Sequence, residues 1–129
     1  MSAGPRILII DDASELVSGI RAALETSGYR ILTAFDGREG IRKAVEELPD
    51  LILLDIYMPE MDGIEVCQRL KENPPTASIP VVMFTTESDL YAKSELQKLG
   101  AVGYIEKPFE IKKLIRQIKE VLKKTAGLS

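Results

Sequence analysis

The chain has 129 residues, of which 45% are hydrophobic and 29% are charged, and its formal net charge is −3. This size and composition predict one globular domain and exclude a disordered or fibrous chain. The small acidic excess gives no electrostatic reason to expect a nucleic-acid or membrane partner. The absence of histidine excludes histidine-based nucleophilic catalysis and histidine-ligated zinc.

The chain contains a single cysteine, Cys67, so no intrachain disulfide can form. The first residues lack the layout of a signal peptide, and no apolar segment approaches the roughly 18 residues of a membrane-spanning helix. Together these features predict a cytoplasmic protein.

Five short apolar runs predict five buried strands. The runs are continuous rather than alternating, which is typical of parallel strands covered by helices on both faces. They occupy residues 7–10, 31–34, 51–54, 81–84 and 102–105.

Helical segments with a 3.6-residue apolar period separate the runs. Gly28 and Gly100 are expected to follow the first and fourth helices in the left-handed conformation, and Asp36 with Glu39 is expected to cap the second. The alternation predicts an α/β fold with a doubly wound, five-stranded parallel sheet and five helices. The expected buried stripes are Leu16, Ile20, Ala23 and Leu24; Ile41, Ala44, Val45 and Leu48; Ile64, Cys67 and Leu70; Ala92, Leu96 and Leu99; and Ile111, Leu114, Ile115, Ile118, Val121 and Leu122.

Polar side chains stand at the ends of these predicted strands. Asp11 and Asp12 follow the first strand, Asp55 the third, Thr85 the fourth and Lys107 the fifth. Because the carboxyl ends of parallel strands share one edge, we expect these side chains to meet. Neighbouring carboxylates repel unless a cation intervenes, and an all-oxygen ligand set suits Mg²⁺. An Asp nucleophile, a hydroxyl and an ammonium beside Mg²⁺ predict phosphoryl transfer.

This order of residues resembles the receiver domain of two-component response regulators. The motifs are Asp11-Asp12, Asp55 within residues 53–63, Thr85, and residues 104–109 with the sequence Tyr-Ile-Glu-Lys-Pro-Phe. The resemblance covers nearly the whole chain. It implies a single receiver domain over residues 1–129, with a core of about 5–124 and no output domain in this chain. It also implies the flavodoxin-like receiver fold with strand order 2-1-3-4-5.

The resemblance further implies a metal site and a phosphoacceptor. Asp55 would accept a phosphoryl group and would also bind Mg²⁺. The other implied ligands are Asp11 and the backbone carbonyl of Tyr57, with Asp12 acting mostly through water. Function would then be that of a signalling receiver that phosphorylates and slowly dephosphorylates itself, not of a metabolic enzyme.

A second implied group of residues reads the phosphoryl group. Thr85 and Lys107 would contact it, and Tyr104 would turn inward when Thr85 moves. The peptide bond between Lys107 and Pro108 is expected to be cis, a form that X-Pro bonds adopt at a cost of roughly 0.5–1 kcal/mol.

The implied partners are a histidine kinase or histidine phosphotransfer protein and an unidentified downstream effector. Because the chain has no histidine, the phosphodonor must come from another molecule. The output face would comprise the fourth helix, fifth strand and fifth helix, and the chain would be a monomer or a phosphorylation-dependent dimer. The output face is expected around Tyr91, Lys98, Tyr104 and Lys112, and kinase docking around Ser14, Val17, Pro108 and Phe109.

Two other function classes build on similar sheets. A haloacid-dehalogenase-type hydrolase needs an acid two residues after the nucleophile, where this chain has Tyr57, and an insertion for a substrate cap. A flavodoxin-like mononucleotide binder needs a phosphate-binding loop after the first strand, where Asp11 and Asp12 would repel the phosphate. Both alternatives are therefore disfavoured.

Some of these residues also have purely structural interpretations. An isolated Asp12 would more often cap the first helix, and Thr85, Lys107 or Tyr104 alone would be ordinary polar or packing residues. Direct nucleic-acid binding by the last helix is not expected, because its cations lie opposite the apolar stripe and complement the helix dipole. Those cations are Lys112, Lys113, Arg116, Lys119, Lys123 and Lys124.

Overall fold

The computed structural model describes residues 4–86 and 93–125. The strands are β1 (Arg6–Ile10), β2 (Arg30–Ala34), β3 (Leu51–Asp55), β4 (Val81–Thr86) and β5 (Gly103–Lys107). The helices are α1 (Ser14–Thr26), α2 (Gly37–Glu47), α3 (Gly63–Glu72), α4 (Lys93–Lys98) and α5 (Ile111–Thr125). All strand pairs are parallel, and the sheet order is β2-β1-β3-β4-β5. The predicted fold class and strand order are confirmed.

The sheet separates two apolar cores. Helices α1 and α5 cover one face and pack on side chains such as Ile9, Leu53 and Phe84. Helices α2, α3 and α4 cover the other face and pack on side chains such as Ile10 and Leu54. Successive residues of a strand point to opposite faces, so a strand covered on both sides must be apolar throughout. This is the reason why the central strands appear in the sequence as uninterrupted apolar runs.

Local signals at the helix ends are also present as predicted. Gly28 and Gly100 have φ values of 96° and 99°. The Asp36 side chain accepts a hydrogen bond from the Glu39 backbone N–H at 2.8 Å at the start of α2. Helix α1, in contrast, begins after Ala13 without a side-chain cap, so Asp12 does not cap that helix.

The buried face of α2 differs from the prediction. Gly37, Gly40 and Ala44 are buried, whereas Val45 and Leu48 are exposed. A Cβ atom on Gly40 would lie only 2.6 Å from the Ile10 side chain, so this helix lies unusually close to β1. The close approach places the small residues against the sheet and turns Val45 outward.

Two further residues that were predicted to be buried are exposed. Val102 lies outside β5 and is 52% exposed, and Ile111 is 37% exposed. Val102 directly precedes β5, which is the edge strand of the sheet, and Ile111 is the first residue of α5. Ala92, predicted to lie on the α4 stripe, is outside the described residues. Within residues 4–86 and 93–125, no helix combines the length and the apolar character needed to cross a membrane.

Leu48 ends α2 in the left-handed region, with φ 46° and ψ 63°. An L-residue pays roughly 1–2 kcal/mol for this conformation, while glycine adopts it freely but loses more freedom on folding. We therefore expect Leu48→Gly to raise the free energy of unfolding by about 0.5–1 kcal/mol, measured as a higher urea midpoint with an unchanged slope. Leu48→Ala removes the same exposed side chain but keeps the strained backbone, so an equal gain in that variant would contradict the explanation.

Candidate functional site

Three carboxylates meet at the carboxyl edge of the central strands. Strands β1 and β3 are neighbours with Ile10 opposite Leu54, so the residues that follow, Asp11 and Asp55, occupy equivalent positions. Asp11, Asp12 and Asp55 each offer a carboxylate oxygen, and these oxygens all lie within 4.8 Å of one another. Asp11 and Asp55 are buried, whereas Asp12 is exposed. The fold thus assembles this cluster from residues 44 positions apart in sequence.

The Asp11 carboxylate is held by two donors. Its Oδ1 accepts a hydrogen bond from the Ala13 backbone N–H at 3.0 Å, and its Oδ2 lies 2.7 Å from the Lys107 ammonium. The Asp11 backbone N–H donates to the Ala34 carbonyl at 3.1 Å, which fixes the start of the loop to β2. Full burial with satisfied oxygens makes Asp11 the rigid member of the cluster.

Lys107 brings a positive charge to the same edge from β5. Its Nζ lies 2.7 Å from Asp11 Oδ2 and 3.4 Å from Asp55 Oδ1. The same ammonium stands 5.2 Å from the centroid of the Phe84 ring. The peptide bond from Lys107 to Pro108 is cis. One ammonium therefore bridges two of the three carboxylates.

The charge on Asp55 is only partly compensated. Burial, which is the largest influence, and the negative charge of Asp11 raise the pKa of Asp55 from 3.8 to about 6. Lys107 opposes this shift through its charge and its hydrogen bond, while the negative charge of Asp12 makes the smallest contribution to the rise. At neutral pH the site therefore holds a carboxylate whose ionised form the fold disfavours, and which an added cation would stabilise.

The donor set fits a hard divalent cation. All three side chains supply oxygen and the cluster is compact. Among the described residues, the Lys107 ammonium balances only part of the negative charge of the three carboxylates. These are the properties of sites that hold Mg²⁺ through one or two carboxylates and water. Asp11, Asp12 and Asp55 are the residues that would hold it. The backbone carbonyl of Tyr57, in the connection from β3 to α3, stays a predicted further ligand.

Thr85 and Tyr104 lie at different positions along their strands relative to the carboxylate edge of the sheet. Thr85 is buried in β4, directly after Phe84, which is in register with Asp55. It therefore lies at the same edge as the carboxylates. Tyr104 is half-buried in β5, in register with Met83, and stands three residues before Lys107. The structure brings Thr85 to the carboxylate edge and places Tyr104 toward the amino end of β5, away from that edge.

Some of the residues expected to contact partners are exposed, and others are buried. Ser14 and Pro108 are exposed and Phe109 is half-buried, but Val17 is 2% exposed and packs in the core beneath α1. Val17 was therefore wrongly expected to be a docking residue, because the buried face of α1 is rotated by one position from the predicted one. On the other expected surface, Lys98 and Lys112 are exposed and Tyr91 lies outside the described residues. The exposed cations of α5 are Lys112, Lys113, Arg116, Lys119, Lys123 and Lys124.

Two neighbours of the site were not predicted. The ring of Phe84 lies beneath the Lys107 ammonium, and it stacks on Phe109 with a centroid distance of 5.4 Å and an interplanar angle of 8°. Gly63, the first residue of α3, approaches the backbone of Asp55 so closely that a Cβ would lie 2.1 Å from the Asp55 carbonyl oxygen. Both contacts depend on register between distant segments, and the only sequence signal is the presence of an aromatic residue before Thr85 and a glycine shortly after Asp55.

Comparison with known proteins assigns the class of this fold and site. Residues 7–119 match the family of response regulator receiver domains, so the chain belongs to that family. The family consists of signalling proteins rather than metabolic enzymes.

Individual relatives agree with this assignment. The chain is 40% identical over 121 residues to the DNA-binding dual master transcriptional regulator RpaA of Synechocystis, covering 94% of this chain and 50% of that protein. It is 38% identical to the alkaline phosphatase synthesis transcriptional regulatory protein PhoP of Bacillus subtilis, covering 93% of this chain and 49% of that protein. The chain thus spans about half the length of these relatives.

Solved structures show the same fold. The chemotaxis protein CheY4 of Vibrio cholerae superposes with a TM-score of 0.86 at 32% identity, covering 92% of this chain and 99% of that one. A CheY-like receiver domain protein of Methanospirillum hungatei gives a TM-score of 0.89 at 29% identity, covering 98% and 99%.

Proposed function

We propose that this chain is a phosphorylation-dependent switch in which Asp55 accepts a phosphoryl group from a histidine on a kinase or phosphotransfer protein. The observation that carries the proposal is the group of three carboxylates within 4.8 Å, with the Lys107 ammonium against two of them. This arrangement suits phosphoryl transfer, which depends on in-line positioning and on neutralisation of charge.

In the proposed reaction an Asp55 carboxylate oxygen attacks the phosphorus atom of the donor. A P–O bond forms as the P–N bond to the donor histidine breaks, and the electron pair stays on the imidazole nitrogen. Asp11, Asp12 and Asp55 would hold Mg²⁺, which when bound would supply positive charge to the phosphoryl oxygens. Lys107 supplies a second positive charge, and the Thr85 hydroxyl donates a hydrogen bond to a phosphoryl oxygen.

The proposed switch runs from Thr85 into the α4-β5-α5 face. Thr85 and Tyr104 lie on adjacent, paired strands, so movement of Thr85 toward the phosphoryl group leaves space into which the Tyr104 ring turns. Phosphorylation would then bias an equilibrium between two conformations of this face. A downstream effector protein or domain would read the change, without direct nucleic-acid contact by the exposed cations of α5.

The proposed setting is the cytoplasm. The single cysteine, Cys67, is buried and unpaired, which fits a reducing compartment. A histidine kinase or phosphotransfer protein would supply the phosphoryl group there. The chain would act as a monomer or as a dimer that forms on phosphorylation.

The first prediction tests the phosphoacceptor. Incubation with acetyl phosphate and Mg²⁺ is expected to add one phosphoryl group to the protein, seen by intact-mass spectrometry. Asp55→Asn is expected to abolish the added mass, because an amide oxygen cannot serve as the nucleophile. The chain has no tryptophan, so mass spectrometry or NMR replaces a fluorescence assay.

The matched control is Asp62→Asn in the following loop. Asp62 accepts a hydrogen bond from the Glu65 N–H at 2.9 Å, and asparagine caps a helix equally well, so this variant should fold and label like the parent protein. Stoichiometric labelling of Asp55→Asn would overturn the assignment of the phosphoacceptor. Failure of the parent protein to label with either acetyl phosphate or a cognate kinase would overturn the proposed function itself.

A further inference from the structure

We propose that Phe84 is a positioning residue for the reaction, whose aromatic face holds the Lys107 ammonium at the phosphoacceptor; this inference rests on the proposed function. The ammonium lies 5.2 Å from the Phe84 ring centroid, and 2.7 Å and 3.4 Å from the carboxylate oxygens of Asp11 and Asp55. Within the part of the chain that the structure describes, Phe84 therefore joins Asp11 and Asp55 in holding the cation.

The strand register explains why the ring lies there. Phe84 is opposite Asp55 on one side and opposite Ile105 on the other, and Lys107 lies two residues beyond Ile105. Side chains two residues apart share a face, so Asp55, Phe84 and Lys107 project to the same side of the sheet. A residue diagonal to an aromatic side chain lies within its reach.

The ring itself is rigid. Phe84 is fully buried, and Phe109 stacks on it at 5.4 Å with an interplanar angle of 8°. Lys107, in contrast, has a flexible side chain that loses considerable rotamer freedom when its ammonium is fixed. A fixed aromatic face with its negative quadrupole lowers that freedom by favouring one position of the cation.

An aromatic partner has an advantage over a further carboxylate. Asp11 holds Lys107 at 2.7 Å, and Asp11 is also one of the residues that would bind Mg²⁺. A cation bound to Asp11 competes with Lys107 for the same negative charge. The Phe84 ring is uncharged and is not one of the residues that would hold the cation, so its attraction for Lys107 would persist with a divalent cation bound.

The decisive experiment weakens the negative electrostatic potential of the Phe84 ring face while the shape of the ring stays nearly the same. Mono-, di- and trifluorinated phenylalanine introduced at position 84 of the full chain should slow phosphorylation by acetyl phosphate progressively, because each fluorine weakens the cation–π attraction. We expect the trifluorinated protein to react about three- to tenfold more slowly, without any loss of affinity for Mg²⁺. Phe84→Leu should give a similar loss. Equal rates across the fluorinated series would overturn the proposal.

Val82→Ala is the matched control for Phe84→Leu. Val82 is fully buried, lies two residues before Phe84 on β4 and packs in the same core. Within the described residues, the aromatic contact of Lys107 is with Phe84 and not with Val82. It should lower stability without the corresponding loss of rate at a temperature where both variants are folded. Equal slowing in both variants would show that Phe84 acts only through packing.

NMR provides a measurement that does not depend on phosphorylation. The Lys107 side-chain protons should show an upfield ring-current shift that is present in the parent protein and in Val82→Ala but absent in Phe84→Leu. The absence of this shift in the parent protein would overturn the positioning role even if phosphorylation proceeds normally. A normal shift in a protein that acetyl phosphate and a cognate kinase both fail to label would instead show that the proposed function is wrong.

Discussion

Asp55→Asn is expected to raise the free energy of unfolding by about 2–3 kcal/mol above about pH 7 in the absence of divalent cations. Burial, aided by the charge of Asp11, raises the pKa of Asp55 from 3.8 to about 6. Each unit between the folded and unfolded pKa values corresponds to about 1.4 kcal/mol. The expected effect is large because the ionised carboxylate stands in a buried site that one lysine compensates only in part.

The sign of the pH dependence follows from the two protonation states. Below about pH 4 both the folded and the unfolded chain carry a protonated Asp55, so asparagine gives no advantage. Between about pH 4 and 6 the unfolded chain loses the proton first, and the parent protein loses stability as the pH rises. Above that window the difference is constant. Urea unfolding of both proteins at a series of pH values in EDTA measures the difference, in which other titrating groups cancel.

Asp12→Asn is the control for this prediction. Asp12 is exposed and is the smallest of the influences that raise the pKa of Asp55, so its replacement should give a much smaller gain. Mg²⁺ should stabilise the parent protein more than Asp55→Asn, because the variant lacks one carboxylate of the cluster. A gain from Asp55→Asn that does not change between pH 4 and 8 would show that burial of the charge is not its cause.

The sequence was sufficient to predict which residues meet at the site, because one rule relates strand ends to space. In a parallel sheet every carboxyl end lies at the same edge, so the order of the chain alone assigns Asp11, Asp55, Thr85 and Lys107 to that edge. The five apolar runs located the strands, and the motif resemblance supplied their order. The distances and the unequal burial of the three carboxylates depend on how the folded elements pack.

The rotation of the helices could not be predicted to within one residue. In α1, either Leu16 or Val17 forms a helical apolar stripe together with Ile20 and Leu24. Packing on the sheet decides that Val17 is the buried residue. In α2 the buried residues are small ones, and a hydrophobic pattern gives Gly40 no weight. Both errors arise because an apolar period identifies the buried face of a helix only to within about one residue. Contact with the sheet decides which residues of that face are buried.

The contacts around Lys107 could not be predicted for a different reason. Phe84 is one of four apolar residues in its run, and nothing in that run distinguishes it from Val82. Its contact with Lys107 depends on the pairing of β4 with both β3 and β5, and its stacking depends on Phe109 in the loop after β5. Register across three strands is a property of the folded sheet.

Gly63→Ala is expected to lower the free energy of unfolding by about 3 kcal/mol and to slow phosphorylation of Asp55 by up to about a hundredfold. A Cβ at this position would lie 2.1 Å from the Asp55 carbonyl oxygen and 2.7 Å from the Ile56 Cα. Both are backbone atoms, so no change of rotamer can relieve the overlap, and α3 must move away from β3.

That movement acts on the site through two links. The Gly63 N–H donates to the Ile56 carbonyl at 2.7 Å, and a shift of α3 breaks this short hydrogen bond. The same shift displaces the backbone of Asp55, which must hold its carboxylate within hydrogen-bonding range of Lys107. Urea unfolding measures the first effect, and acetyl phosphate labelling at a temperature where the variant is folded measures the second.

Gly19→Ala provides a control with the opposite expected sign. Gly19 lies on the exposed side of α1, and a Cβ there would meet nothing within 4 Å. Alanine favours an exposed helix interior by about 0.8–1 kcal/mol over glycine, so this variant should be more stable than the parent protein and should label at the parent rate. If both substitutions instead changed stability by similar amounts in the same direction, the close approach of α3 to Asp55 would not be what requires glycine at position 63. Opposite signs, with labelling slowed only in Gly63→Ala, would show that the missing side chain of Gly63 allows α3 to hold the phosphoacceptor in place.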